Sequence, residues 1–227
     1  MTIKHNIVFV FDLDDTLYKE IDFLKSAYKE ISQFISEKTN LNPQTIFDKM
    51  LAAYYDGGNP FQTVIDLAQS SEIQISKLLS IYRNHQPHIS LSSETQSVLK
   101  FLKKSVYKIG LITDGRSVQQ RSKIKALALE SYFDDIIISE EFGSEKPCLD
   151  NFNFYSNKYG DKYQYIYIGD NTSKDFVGPN ALNWHSICLI DAGENIHKQT
   201  FDLEVKFKPL FVINSIIQIP EILKKVE

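Results

Sequence analysis

The sequence predicts an α/β fold: a doubly wound, Rossmann-like, mostly parallel sheet core with an inserted all-helical cap. Three observations predict it. Short apolar runs rich in β-branched and aromatic residues recur along the chain, and each ends in polar residues; such runs suit strands buried on both faces. The stretches between them read as helices, and alternating strands and helices imply a parallel sheet. One interval between strand ends is far longer than the others, which places an insertion after the first strand.

The runs are residues 7–11, ending at Asp12; 109–112, ending at Thr113 and Asp114; 136–138, ending at Ser139 and Glu140; 165–168, ending at Gly169 and Asp170; and 187–190, ending at Asp191, with 211–213 as a weaker sixth candidate. The helices between them are 117–129, with Val118, Ile124, Leu127 and Ala128 at helical spacing, then 151–159 and 173–182. From Thr113 onward the spacing suits single strand–helix–strand crossovers of ~30 residues, whereas the gap from Asp12 to Thr113 is about three times too long for one. Within it Ile21, Leu24, Tyr28, Ile31 and Ile35 recur every third or fourth position along one helical face. Asn42 and Pro43 open a second helix through Ile46 and Met50, residues 55–60 form a loop rich in Gly, Asn and Pro, and helices follow at 61–68 and 75–82. Residues 83–92 read as the return linker and 93–104 as a core helix. The division is residues 1–18 and 91–227 for the α/β core and 19–90 for the helical cap.

With 227 residues, 43% of them hydrophobic, the chain can bury a substantial core. Its 25 Lys and Arg against 29 Asp and Glu leave a net charge of −4, a poor match to a nucleic-acid backbone but compatible with a local pocket for one small anion. Cys148 and Cys188 follow no metal-ligand spacing, which points to free thiols in a reducing compartment. Residues 1–5 lack a long apolar segment, and the run at 7–11 is too short for a signal peptide or a membrane span. The expectation is a cytoplasmic protein with neither membrane nor nucleic acid as partner; oligomeric state is left open. The five histidines, His5, His85, His88, His185 and His197, show no ligand spacing and read, like Trp184, as surface or packing residues.

Ligands of open α/β sheets bind beyond the carboxyl ends of the strands. That edge should gather Asp12, Thr113, Asp114 and Asp170. Crowded carboxylates repel unless a cation sits among them, and all-oxygen ligands favour a hard ion such as Mg²⁺. An aspartate at a strand end, here Asp12, can attack phosphorus, and Asp14 is placed to give the leaving oxygen a proton and later take one from water. The segment from Asp12 to Leu17, with Thr16, equally suits a capped polar turn. The turn Thr113-Asp114-Gly115 offers a hydroxyl and backbone N–H groups to a phosphate, or is an ordinary strand-to-helix turn. Lys146 either reaches the crevice and offsets charge there or is a solvated surface lysine. Asp170 can ligate the ion and Asp175 can orient a ligand or the lysine; the alternative is a helix cap.

Four motifs in this order, Asp12 with Asp14, Thr113, Lys146, and Asp170 with Asp175, closely resemble those of the haloacid dehalogenase superfamily of hydrolases. The resemblance runs over nearly the whole chain, and the helical insert resembles that family's first cap class. It implies a Mg²⁺-dependent phosphohydrolase acting on a small phosphorylated metabolite. Asp12 would be the nucleophile, forming an aspartyl-phosphate, and Asp14 the acid, then the base. Asp12, the Asp14 backbone carbonyl and Asp170 would hold the metal. Thr113, Asp114, Gly115 and Lys146 would bind the phosphoryl group, with Thr16 and Asp175 supporting them. The superfamily's carbon–halogen hydrolases lack the second aspartate, so Asp14 favours phosphate esters; a phosphomutase shares the first motif. A phospho-accepting receiver domain uses similar groups but has no helical insert of this length.

Overall fold

The computed structural model describes residues 5–226; Met1–Lys4, Glu227 and the side chain of His5 lie outside the described residues, with the expectations that concern them. Six strands, β1 (His5–Phe11), β2 (Val106–Thr113), β3 (Asp135–Ile138), β4 (Gln164–Gly169), β5 (His185–Leu189) and β6 (Phe211–Ile213), form one sheet in the order β3-β2-β1-β4-β5-β6, with every pair parallel. All six predicted runs are strands.

The helices are α1 (Glu20–Thr39), α2 (Pro43–Tyr55), α3 (Pro60–Ala68), α4 (Ile75–Asn84), α5 (Ser93–Ser105), α6 (Ser117–Ala126), α7 (Ser139–Phe142), α8 (Asp150–Tyr159), α9 (Val177–Ala181) and α10 (Ile219–Leu223). Alternation along β1 splits the core into two layers. Phe9 and Phe11 face a cluster with Leu99, Leu102 and Ile124, while Val8 and Val10 face one with Phe152, Tyr155 and Trp184. Helices on both faces of a parallel sheet are what the apolar strands require. Gly110 on β2 is needed for this packing, since a Cβ there would lie 2.3 Å from the Tyr155 ring.

Helices α1 to α4 surround a separate apolar cluster of Ile21, Leu24, Tyr28, Ile31, Ile35, Ile46, Met50, Val64, Ile73 and Leu78. Their boundaries follow local chemistry. The side chain of Asn42 accepts N–H groups of Gln44 and Thr45, and that of Asn59 accepts those of Phe61 and Gln62, with Pro43 and Pro60 in the first turns. Asn40 ends α1 in the left-handed conformation, φ 59°.

Two expectations are corrected. The segment expected to be helical from 173 to 182 is a series of turns up to Phe176, with helix only at Val177–Ala181; there the N–H groups of Lys174 and Asp175 bond the Asn171 carbonyl while the Asp175 carboxylate accepts the Asn171 N–H, which closes a turn on Asn171. The helix expected over 117–129 ends at Ala126, and its inward face is mixed. Ile124 and Leu127 are buried, Val118 and Ala128 are exposed, and Gln120 and Lys123 are buried beside Ile124, because that face is turned toward carboxylates.

Candidate active site

Parallel strands deliver their carboxyl ends to one edge. β1 lies between β2 and β4, so Asp12 after β1, Thr113 at the end of β2 and Asp170 after β4 meet where the strand order reverses, the position ligands favour in such sheets. The Asp12 N–H donates to the Ile168 carbonyl at 2.8 Å, carrying sheet pairing one residue past the strand. Gly169 is required beside it: a Cβ there would lie 2.3 Å from an Asp175 carboxylate oxygen.

One half of the site is built on Lys146, which is buried, so the solvated alternative is set aside. Its Nζ lies 2.7 Å from Asp12 Oδ1 and 2.8 Å from Asp175 Oδ1, and it donates to the Tyr167 hydroxyl at 3.1 Å. Burial works against the ammonium, but Asp12 and Asp175 outweigh it and hold the Lys146 pKa well above its usual value. Burial pushes the Asp12 carboxyl up to about 7 despite Lys146. Asp170 rises to about 9, from burial first and then from the neighbouring charges of Asp12 and Asp175.

Asp12, Asp170 and Asp175 each offer a carboxylate oxygen within 4.8 Å of the others. Asp175 already accepts from Lys146 and from the Asn171 N–H at 2.8 Å. Asp170 Oδ2 accepts from Asn195 Nδ2 at 2.8 Å. Buried carboxylates that crowd together and draw protons this strongly, offering only oxygen, fit a hard divalent cation better than any soft one.

The other half surrounds Asp14. Its Oδ1 accepts from the Tyr18 hydroxyl at 2.6 Å and from Lys123 Nζ at 2.7 Å, and its Oδ2 from Gln120 Nε2 at 2.8 Å. Gln120 Nε2 also donates to Thr113 Oγ1 at 2.5 Å, tying the first motif to the second. Burial alone would raise the Asp14 pKa; Lys123 and these hydrogen bonds lower it overall. Asp12 and Asp14 therefore stand two residues apart in opposed environments.

Asp114 spends one carboxylate oxygen on the Lys146 N–H at 3.0 Å and the other on Lys174 Nζ at 2.7 Å, so it fixes the loop that presents Lys146. The Gly115 N–H donates to Ser139 Oγ at 2.9 Å, with φ 135°. Thr16 is buried under the turn, and among the described residues its Oγ1 has no hydrogen-bond partner. Asp15 takes the left-handed conformation, φ 56°, and its carboxylate accepts the N–H groups of Glu20 and Ile196, both at 2.9 Å.

A cavity of about 120 Å³ lies over Asp12, Asp14, Thr113, Asp114 and Asp170. Glu20, Lys174 and His197 also line it, and sequence reasoning gave none of them a role in the site; His197, read as surface or packing, is exposed and lines the cavity as well. Lys123 and Gln120 were likewise missed. Their signal was two polar residues three apart on one helical face. Lys174 stands beside Asp175, while nothing local marks His197. Tyr54 and Tyr55 line a neighbouring cavity of about 410 Å³ between the insert and residues 193–198.

Residues 9–188 match the profile of the haloacid dehalogenase-like hydrolases. The chain belongs to this family. As a haloacid dehalogenase-like hydrolase it is an enzyme, and the receiver-domain alternative falls away. It is 27% identical over 233 residues to the glyceraldehyde 3-phosphate phosphatase of Methanocaldococcus jannaschii, covering 96% of this chain and 97% of that one. It is also 27% identical over 141 residues to human N-acylneuraminate-9-phosphatase, covering 62% of this chain and 54% of that one. Among solved structures, the HAD-hydrolase YfnB from Bacillus subtilis bound to magnesium aligns with TM-score 0.65 and 18% identity, covering 97% of this chain and 99% of that one. A 2-haloacid dehalogenase from Pseudomonas syringae aligns with TM-score 0.64 and 20% identity over 99% of this chain and 100% of that one. Both likenesses are of fold. Among the described residues no helix is long and apolar enough to cross a membrane.

Proposed function

We propose that this hydrolase is a cytoplasmic, Mg²⁺-dependent phosphatase that cleaves a small phosphorylated metabolite through an aspartyl-phosphate on Asp12. The observation that carries the reading is the buried Lys146 ammonium between Asp12 and Asp175 with Asp170 alongside. Phosphate-ester hydrolysis has the further support of the curated relatives, which are phosphatases.

The Asp12 oxygen not held by Lys146 attacks phosphorus, and the bond from phosphorus to the leaving oxygen breaks. Asp14 gives that oxygen its proton and then takes one from the water that attacks the acyl phosphate. Phosphate leaves and the Asp12 carboxylate returns. Lys146 faces the phosphoryl oxygens and the nucleophile together, and its charge counts for more in a partly dry site. Asp12, the Asp14 carbonyl and Asp170 would hold Mg²⁺, whose chemistry when bound is to neutralise the phosphoryl oxygens. Its donors hold Asp14 ionised at rest, so to act as acid it must first take up a proton as it exchanges some of these partners for the leaving oxygen.

A cavity of about 120 Å³ suits a short-chain compound such as the glyceraldehyde 3-phosphate in the relatives' name. The test is phosphate release from a panel of phosphorylated metabolites, with Mg²⁺ and with excess chelator. Release that requires Mg²⁺ is expected. Full activity in chelator removes the metal assignment, and activity on a 2-haloacid but on no phosphate ester moves the enzyme to carbon–halogen chemistry.

A further inference from the structure

The network around Asp14 crosses between the core and the insert. Lys123 rises from α6, and its side chain is 3% exposed. Its Nζ meets Asp14 at 2.7 Å and Glu20, in the first turn of α1, at 3.1 Å. It also lies 4.5 Å from the centre of the Phe23 ring, one turn further along α1. A buried ammonium is costly unless it stays paired. Here two carboxylates share one cation, and one of the two is the group that must turn toward the leaving oxygen.

We infer that Lys123 is a positioning residue for Asp14, and that Glu20 is its anchor on the insert. Gln120 and Lys123 stand three residues apart on one face of α6, and with Tyr18 they hold both oxygens of Asp14. When Asp14 gives up Lys123 for the leaving oxygen, Glu20 remains beside the ammonium, so the charge is not stranded against Phe23. Without Glu20 the same movement would leave Lys123 unpaired in an apolar setting. The first turn of α1 is itself pinned to the core, because the Glu20 N–H and the Ile196 N–H bond the two oxygens of Asp15. The seating of the insert is thus linked to the group that serves the leaving oxygen, and not to Asp12, whose partners among the described residues come from the core.

The inference rests on Asp14 as the acid–base group, and the experiment separates the two. 4-Nitrophenyl phosphate releases a stable phenolate that needs little help from an acid, whereas phenyl phosphate releases a basic one. The measurement is kcat/KM for both, with Mg²⁺, in the wild type, Asp14→Asn, Lys123→Met, Lys123→Arg and Glu20→Gln. The phenyl-to-nitrophenyl ratio should fall about tenfold in Lys123→Met, part of the ~10²–10⁴-fold that a positioned acid supplies. It should fall less in Glu20→Gln and recover in part in Lys123→Arg. A helix-packing role alone would lower both substrates equally. A wild-type ratio in both Lys123→Met and Glu20→Gln, while Asp14→Asn shows the fall, overturns the positioning role and leaves Asp14 as acid. A wild-type ratio in Asp14→Asn overturns the acid assignment and this inference with it.

Discussion

The core and the helical insert bury apolar residues in separate clusters, and they differ in what they do with charge. The core places Asp12, Lys146 and Asp175 in contact under its sheet edge, all buried, with buried Asp170 alongside. The insert keeps its own interior apolar, from Ile21 to Leu78, and sends toward the site Glu20 from its first turn, with Tyr54 and Tyr55 beside the adjoining cavity. A parallel sheet can hold several unlike charges in register because each strand end is fixed by its neighbours. A small helical unit has no comparable frame and reaches the site from its rim. We propose on this contrast that the core does the chemistry and the insert chooses the leaving group, and four measurements can break or sharpen that proposal.

The largest effect belongs to the nucleophile. Asp12→Asn keeps the shape and loses the attacking charge, so turnover should fall below detection on every phosphate ester while the circular dichroism stays native. Wild-type turnover in that variant would exclude the covalent route. Lys146→Ala comes next, with a loss of about 10²-fold in kcat/KM, comparable to removing one preorganised donor from a charged transition state. Unchanged kinetics across a full titration would show that its ammonium does not serve the phosphoryl group.

The insert should produce a smaller and selective effect. Replacing Tyr54, Tyr55 and Asp56 by Ala should lower kcat/KM about tenfold or more on the best metabolite, within the range side-chain contacts give to discrimination, and change 4-nitrophenyl phosphate little. An equal loss on both, or none on either, would move selectivity elsewhere in the insert.

The smallest effect concerns stability. Asp12 and Asp170 are raised from 3.8 to about 7 and about 9. At these two carboxyls the folded protein without metal binds more protons than the unfolded chain between about pH 4 and pH 9, so their contribution to stability falls as pH rises through that window. Bound Mg²⁺ offsets the repulsion, so the rise in Tm on adding Mg²⁺ should grow from pH 6 to pH 8. A Mg²⁺ shift independent of pH would show that these carboxylates do not hold the ion; the insert contributes none of them.

Much of this was legible in the chain. Six apolar runs marked six strands, and the long gap after Asp12 marked the insert. The motif residues Asp12, Thr113, Lys146, Asp170 and Asp175 do meet at one edge. Where reading failed, polar contacts had shaped the segment. Residues 173–176 were expected to be helical but form turns closed on Asn171. Val118, placed at helical spacing with Ile124, is exposed, while Gln120 and Lys123 are buried beside Ile124.

The sequence by itself determined the strand-and-helix order and the placing of carboxylates just past strand ends, because hydrophobic period and helix caps act over a few neighbouring residues. Only the tertiary structure decided that Lys146 is buried, that Asp12 and Asp14 meet opposed environments, and that Lys123 stands between Asp14 and Glu20. Those outcomes depend on which groups face each other across elements far apart in the chain. The energy of a charge is set by its partners and by the water it has lost, and neither is written in its own stretch of sequence.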